Sequence, residues 1–185
     1  MKFYRALVAM ALVLSAGQAL AQVNPNDWYT VAMAASHNDL PQVRALLARG
    51  TMIDHVDADV IDSYGRSALD YAASFDNLDM AKLLVDHGAK VNGHDPSGDT
   101  PLHVAAEHGS LEVLRFLLDH KATVDAINRQ GLTPLMGAAS HSQLAAVRLL
   151  RQSGADPKKQ DYTGRDAFGW AVGKPAILQV LKRAP

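Results

Sequence analysis

The sequence predicts an all-α protein, a solenoid of about five helix-turn-helix units joined by hairpin loops. Two regularities support this prediction. Gly65, Gly98, Gly131 and Gly164 recur at intervals of 33 residues. Small pairs follow them at a constant offset: Ala72-Ala73, Ala105-Ala106, Ala138-Ala139 and Ala171-Val172. A fixed period of about 20–50 residues is typical of stacked structural repeats, so the pattern favours a repeat fold over a single closed core.

The first helix of each unit is clearest around residue 100. Thr100 is a suitable N-cap, and Pro101 is a suitable first helical residue because proline has no N–H to leave unpaired there. We therefore expect a short helix from Pro101 to His108, ended by Gly109 in a left-handed conformation. The alanine pair within this helix lets a neighbouring helix approach closely.

The second helix of the same unit is expected from Leu111 to His120. Four leucines lie at helical spacing and predict one buried stripe: Leu111, Leu114, Leu117 and Leu118. Residues 121–131 are rich in turn formers and predict an extended loop or hairpin. One helix pair of this size cannot bury its own apolar face, so it needs neighbouring units.

The first residues have the pattern of an export signal. Lys2 and Arg5 precede an apolar run at 6–16, and Ala19 and Ala21 suit the signal peptidase. As a helix the run reaches only about 16 Å, against about 30 Å of bilayer hydrocarbon. We expect residues 1–21 to be a signal peptide and 22–185 a single domain in the bacterial periplasm. The expected units are approximately 26–61, 62–94, 95–127, 128–160 and 161–185.

Composition excludes several classes of function. The 185-residue chain has no cysteine, so a disulfide scaffold, a thiolate metal site and a cysteine nucleophile are excluded. With 18 Lys and Arg against 19 Asp and Glu, the formal charge of -1 gives no reason to expect nucleic-acid binding. The sequence also lacks a nucleophile elbow and a phosphate-binding glycine loop. We therefore expect no catalysis, no cofactor and no metal.

Residues 95–109 carry a resemblance to a known family. They read Asp-Pro-Ser-Gly-Asp-Thr-Pro-Leu-His-Val-Ala-Ala-Glu-His-Gly, which closely resembles the signature of ankyrin repeats. The resemblance covers about residues 26–183, with atypical end units that suit capping repeats and a shortened last unit. It implies that His103 joins a structural hydrogen-bond network. Asp70 and Met136 occupy the equivalent place in two other units.

The resemblance also implies a partner-binding surface at the hairpin tips and the exposed side of the first helices. Aromatic and arginine residues are frequent interface anchors, and several occur there without a place in the core pattern. Carried over by position, the expected contact residues are Tyr64, Arg66, Phe75, Asp99, Glu107, His108, Arg129, Leu132, His141, Tyr162 and Arg165.

The expected function is a non-catalytic protein–protein interaction module, monomeric when free, with a protein partner. No nucleic-acid partner is expected, and no membrane contact after signal cleavage. The exported bacterial ankyrin proteins that the chain resembles leave two roles open. One is an accessory factor for an oxidative-stress enzyme such as catalase, and the other is an immunity protein that neutralises a periplasm-targeted toxin. Haem or small-molecule binding, with His108 or His141 contacting haem, is a third alternative.

Two further features have alternative interpretations. His37, His108 and His141 share one repeat position, which Phe75 occupies in a fourth repeat, and His87 and His120 share another. They are either donors or cations at helix C-termini, or, for His108 and His141, part of a recognition surface whose charge varies with pH. Residues 51–62 contain four aspartates in a lengthened loop, which is either a solvated loop or an acidic finger that contacts a partner.

Charge is unevenly distributed along the chain. Residues 22–105 contain 12 acidic and 5 basic residues, whereas residues 106–185 contain 7 acidic and 11 basic residues. Because repeats stack in sequence order, we expect an acidic N-terminal end and a basic C-terminal end. Such polarity either reflects solvated faces alone or steers a partner of opposite polarity.

Overall fold

The computed structural model describes residues 27–48 and 65–183, without the side chains of residues 27–30. Every regular element in these ranges is an α-helix, which confirms the predicted all-α class. The expected signal peptide, the 51–62 loop and Tyr64 lie outside the described residues. The described helices form five pairs: α1 (Asp27–Ser36) and α2 (Leu40–Ala48), α3 (Ala68–Ser74) and α4 (Leu78–Asp86), α5 (Pro101–His108) and α6 (Leu111–Asp119), α7 (Pro134–Ser140) and α8 (Leu144–Gln152), α9 (Ala167–Trp170) and α10 (Pro175–Lys182).

The helix pairs stack in sequence order into two layers. The first helices α1, α3, α5, α7 and α9 pack side by side, each against the next. The second helices α2, α4, α6, α8 and α10 form the other layer in the same way, and each also packs against the first helix of its own pair. This arrangement is the solenoid expected from the 33-residue period. We call the layer of first helices the inner layer.

The inner helices begin and end through the local chemistry that the sequence predicts. Thr100 precedes α5 with extended backbone, Pro101 is the first helical residue, and Gly109 follows at φ 72°. The residues equivalent to Gly109 also have positive φ although they carry side chains: Asn38 at 56°, Asp76 at 53° and Ser142 at 62°. The tight turn between paired helices therefore requires the left-handed conformation whichever residue occupies it.

The core departs from the expected leucine stripe of α6 in one respect. Leu114 and Leu117 are fully buried together with Val113, but Leu118 is only partly buried and Leu111 is 37% exposed. At about 100° per residue, Leu111 lies more than a quarter of a turn from the centre of the buried face. Val113, which the leucine pattern overlooked, fills the core position.

Hydrogen bonds between units hold the loops in register. The His103 Nε2 atom lies 3.0 Å from the Leu132 carbonyl oxygen, and the Asn128 side-chain amide donates to Asp99 across 2.8 Å. The backbone N–H of Arg129 donates to the Ser97 carbonyl across 2.9 Å. These bonds set the spacing of the inner helices, and with it the spacing of any side chains that project from them.

Candidate functional site

Exposed side chains stand at the same repeat position on four successive inner helices, those of His37, Phe75, His108 and His141. Phe75, His108 and His141 are 33 residues apart, at the C-terminal ends of α3, α5 and α7. We call these three residues the inner row. Phe75 is 47% exposed, which is unusual for a phenylalanine ring, and the two histidines are also exposed. Since the core is complete without these side chains, the inner row is free to contact another molecule.

A second set of predicted residues lies in the loops that precede the inner helices. Asp99 accepts the hydrogen bond from Asn128, and Leu132 is partly buried against the core, so both also hold the stack together. Arg66 and Arg165 are exposed. Their guanidinium carbons lie 6.0 Å and 4.6 Å from the aromatic rings of the inner helices that follow them, Tyr71 and Trp170 respectively. The two arginines place positive charge at the surface at either end of the series.

Arg129 and Tyr162 occupy equivalent positions at the tips of two loops. Both are exposed, Tyr162 to 72%. The Tyr162 ring lies over Gly131, where an added Cβ would be only 2.9 Å from Cδ1, so the ring is supported by the preceding loop. Its backbone N–H donates to the Gln130 carbonyl across 3.1 Å. A large aromatic ring is thus held in an exposed position by its neighbours.

Glu107 brings several of the predicted residues together. Its side chain is partly buried and lies against Gly137 of α7, where an added Cβ would be 2.9 Å from the Glu107 Cγ. Burial raises the pKa of Glu107, and the nearby charge of Asp99 raises it further, whereas His141 and His108 lower it. The structure therefore places Asp99, Glu107, His108 and His141 within electrostatic reach of one another at the centre of the inner layer.

The exposed histidines at helix ends share one geometry. In each, Nδ1 lies 2.8–3.0 Å from the carbonyl oxygen four residues earlier. A carbonyl can only accept, so Nδ1 carries the hydrogen and Nε2 is left at the exposed edge of the ring. This supports the interpretation of these residues as donors at helix C-termini. The residues are His37, His87, His108, His120 and His141.

Sequence reasoning missed two features of this surface. Gly137 is the residue that makes room for Glu107. The sequence contained a signal for this, because the repeat alignment places a glycine at 137 where the other units have larger residues: Tyr71, Val104 and Trp170. The second feature is a hydrogen-bonded group at the C-terminal end, formed by Asp161, Thr163, Arg165 and Trp170. Its backbone bonds recur at the repeat position, since Asp95 and Asn128 accept the same two backbone N–H groups in the preceding units. The bonds from the Thr163 hydroxyl and the Trp170 indole are the part that the repeat pattern did not predict.

No group of three or more His, Asp or Glu side chains in the described ranges is arranged to hold a metal ion. Within the same ranges, no helix combines the length and the apolar character needed to cross a bilayer.

Comparison with known proteins agrees with the observed architecture. A family model described as ankyrin repeats (3 copies) matches residues 5–95 and 89–161. The two matches together span well over half of the 185-residue chain, and the first begins within the expected signal peptide. No curated protein matches the chain.

Proposed function

The chain belongs to the ankyrin-repeat family, and we propose that it binds a protein partner along the inner row and the adjoining loops, without catalysing a reaction. Ankyrin repeats are protein–protein interaction modules, and the family is generally non-catalytic. The observation that carries the proposal is the inner row itself. Phe75, His108 and His141 are exposed at one repeated position, while the core of the stack is formed by other residues.

The charges of the predicted contact residues support a partner with a mixed surface. Arg66, Arg129 and Arg165 are exposed on the loops, whereas Glu107 and Asp99 lie nearer the centre. Aromatic rings and arginines are both frequent among the anchors of protein interfaces. A partner with an apolar contact for Phe75 and acidic groups for the arginines would match this surface.

A crosslinking experiment tests the proposed face. A photoreactive residue replaces Phe75 in one variant and the exposed Arg115 of the outer helix α6 in a matched control. We expect the first variant to crosslink one partner and the control to crosslink none. Once the partner is identified, the double variant Phe75→Ala/Arg129→Ala should weaken its binding at least tenfold, about 1.4 kcal/mol. The matched control Lys82→Ala/Arg115→Ala should retain it; equal loss in both would reject this face.

The proposed location is the bacterial periplasm, after removal of residues 1–21. The support is the basic, apolar and small-residue pattern at the N-terminus. Cell fractionation followed by intact-mass measurement tests it. We expect a periplasmic product that begins at Gln22, and a cytosolic product that retains Met1 or Lys2 would contradict the proposal.

For the biological role we propose an accessory factor to an oxidative-stress enzyme such as catalase, with toxin immunity as the alternative. The resemblance stated from the sequence is the support for both roles. Deletion of the gene distinguishes them. The accessory role predicts sensitivity to hydrogen peroxide without any toxin, whereas the immunity role predicts loss of viability only when a cognate periplasmic toxin is present. Haem titration of the wild type and of His108→Ala tests the third alternative, since bound haem would show an absorption change that the variant loses.

A further inference from the structure

One buried acidic side chain lies on α3, the inner helix of the second unit, which packs against α5 of the third unit. Asp70 is the third residue of α3 and is only 3% exposed. Its Oδ2 accepts hydrogen bonds of 2.8 Å from both the backbone N–H and the hydroxyl of Ser67. Its other oxygen, Oδ1, is buried and has no hydrogen-bond partner among the described residues. A fully buried carboxylate with one unpartnered oxygen is costly when it is charged.

The equivalent residues show what this position does elsewhere. His103 on α5 uses Nε2 to bond the Leu132 carbonyl of the following unit, and Met136 on α7 is apolar and buried. Among the described residues Asp70 makes no such cross-unit bond, and unlike Met136 its side chain is ionisable. The helix that carries it packs directly against α5. The helix that packs against α5 therefore carries a buried ionisable group at the position where α5 and α7 hold a cross-unit bonded side chain and an apolar one.

We propose that Asp70 makes the contact between the second and third units sensitive to pH, closed when its carboxyl is protonated and prone to open when the carboxyl ionises. Opening would separate Phe75 from His108 in the inner row. That consequence for binding rests on the proposed function, whereas the opening itself does not.

The surrounding charges do not neutralise Asp70. Burial raises its pKa to about 7, the nearby Asp95 adds to the increase, and the bonds from Ser67 and the charge of Arg66 oppose it. Within the described ranges, the first helix α1 carries no charged side chain at residues 31–36. The other helices packed against α3 carry Asp79, Lys82 and Asp86 on α4, His103, Glu107 and His108 on α5, and Glu112, Arg115 and Asp119 on α6.

The direction of the effect follows from the two states. An unfolded Asp has a pKa of 3.8, below the value of about 7 in the folded chain. The folded state therefore binds the proton more tightly, and this contribution to stability is full below pH 3.8 and is lost as the pH rises through about 7. Since each unit of pKa difference is a factor of ten in an equilibrium constant, the contact should open more readily at pH 8 than at pH 5.

Native-state hydrogen exchange on the full chain tests the proposal. After correction for intrinsic exchange, the opening equilibrium constant of the Ala72 and Ala73 amides should rise roughly tenfold or more from pH 5 to pH 8. In Asp70→Asn, which keeps an oxygen for Ser67 but cannot ionise, this rise should disappear. Asp86→Asn, at an exposed position on α4, is the matched control and should behave as the wild type.

A second measurement needs no variant. The carboxyl carbon resonance of Asp70 in the wild-type chain should titrate with a midpoint of about 7. A midpoint near 3.8, or the same pH dependence of exchange in the wild type and in Asp70→Asn, would overturn the proposal. Neither measurement involves the partner, so failure of the proposed binding function would leave both results unchanged.

Discussion

The indole Nε1 of Trp170 donates a hydrogen bond to Oδ2 of Asp161 across 3.0 Å. The other carboxylate oxygen accepts from the hydroxyl of Thr163 and from the backbone N–H groups of Thr163 and Arg165, at 2.6–3.0 Å. One side chain thus joins the last loop to α9, which has only four residues. The bond from Trp170 is an additional link between the loop and this short helix, whereas the backbone bonds repeat those that Asp95 and Asn128 accept in the preceding units.

We expect Asp161→Asn to weaken the stack in a pH-dependent manner. The Thr163 hydroxyl bond is the largest cause that lowers the pKa of Asp161, to about 2, from 3.8 in the unfolded chain. A lowered pKa contributes stability above pH 3.8 that is lost as the pH falls toward 2. In urea unfolding, the wild type should have a higher free energy of unfolding than the variant at pH 6. This difference should become smaller below about pH 4. Asp119→Asn, at an exposed position, is the control. A difference between the wild type and Asp161→Asn that does not vary with pH would contradict this account.

His103 should be neutral, with its hydrogen on Nε2. The backbone N–H of Thr100 donates to Nδ1 across 3.2 Å, so Nε2 is the donor to the Leu132 carbonyl. Burial lowers the pKa of His103 below the value of 6.5 that it has in the unfolded chain. The neutral ring therefore contributes its full stabilisation above pH 6.5, and this contribution is lost as the pH falls below that value. Nitrogen NMR should report this tautomer, opposite to that of the exposed helix-end histidines.

Replacement of the same side chain has a predictable cost. His103→Ala removes a buried ring and its three hydrogen bonds, two with Thr100 and one with Leu132, and should lower the free energy of unfolding by about 1–3 kcal/mol at pH 7.5. The Leu132 carbonyl keeps its bond from the Asn128 backbone N–H, which limits the loss. His87→Ala, at an exposed helix end, should change stability by less than about 0.5 kcal/mol. Equal costs for the two variants would show that the cross-unit bond contributes nothing.

Ser142→Gly should stabilise the chain. Ser142 has φ 62°, at the turn position that Gly109 occupies in the preceding unit. Relief of this left-handed strain should raise the free energy of unfolding by about 0.5–1 kcal/mol in chemical denaturation. Asp76→Gly is an informative comparison, because Asp76 also accepts a 3.0 Å bond from the Val113 N–H, and its loss should cancel the gain. A destabilised Ser142→Gly would refute the argument.

Gly137→Ala should displace Glu107. The new Cβ would approach the Glu107 Cγ to 2.9 Å, so the carboxylate should move into solvent and its raised pKa should fall, as measured by carboxyl carbon NMR. The gain in helix propensity, about 1 kcal/mol, should be largely offset by this displacement. In a Glu107→Ala background the same change should give that gain in full. Identical effects in both backgrounds would mean that the two residues do not interact.

Much of the fold was predictable because it depends on local chemistry. The limits of α5 at Pro101 and His108 follow from the N-cap, the first-turn proline and the left-handed Gly109. The leucine pattern of α6 was less reliable, since it placed Leu111 in the core and overlooked Val113. Helical spacing identifies an apolar face, but the neighbouring units decide where the centre of that face lies.

The candidate site was predictable only in outline. Repeat position brought out Phe75, His108 and His141 as equivalent and unused by the core, and the structure describes all three as exposed. The sequence did not predict that Asp99 and Leu132, besides being candidate contact residues, hold neighbouring units together. It also did not predict that Glu107 lies against Gly137. These features depend on how far one inner helix stands from the next.

The sequence alone determined that this protein is a stack of helix pairs, because a 33-residue period, capping residues and turn glycines act within one unit. Only the tertiary structure decided which polar groups are satisfied across units: His103 finds a carbonyl in the next loop, whereas the Oδ1 of Asp70 finds none among the described residues. The physical reason is that burial and hydrogen bonding between units depend on distances that no single unit encodes.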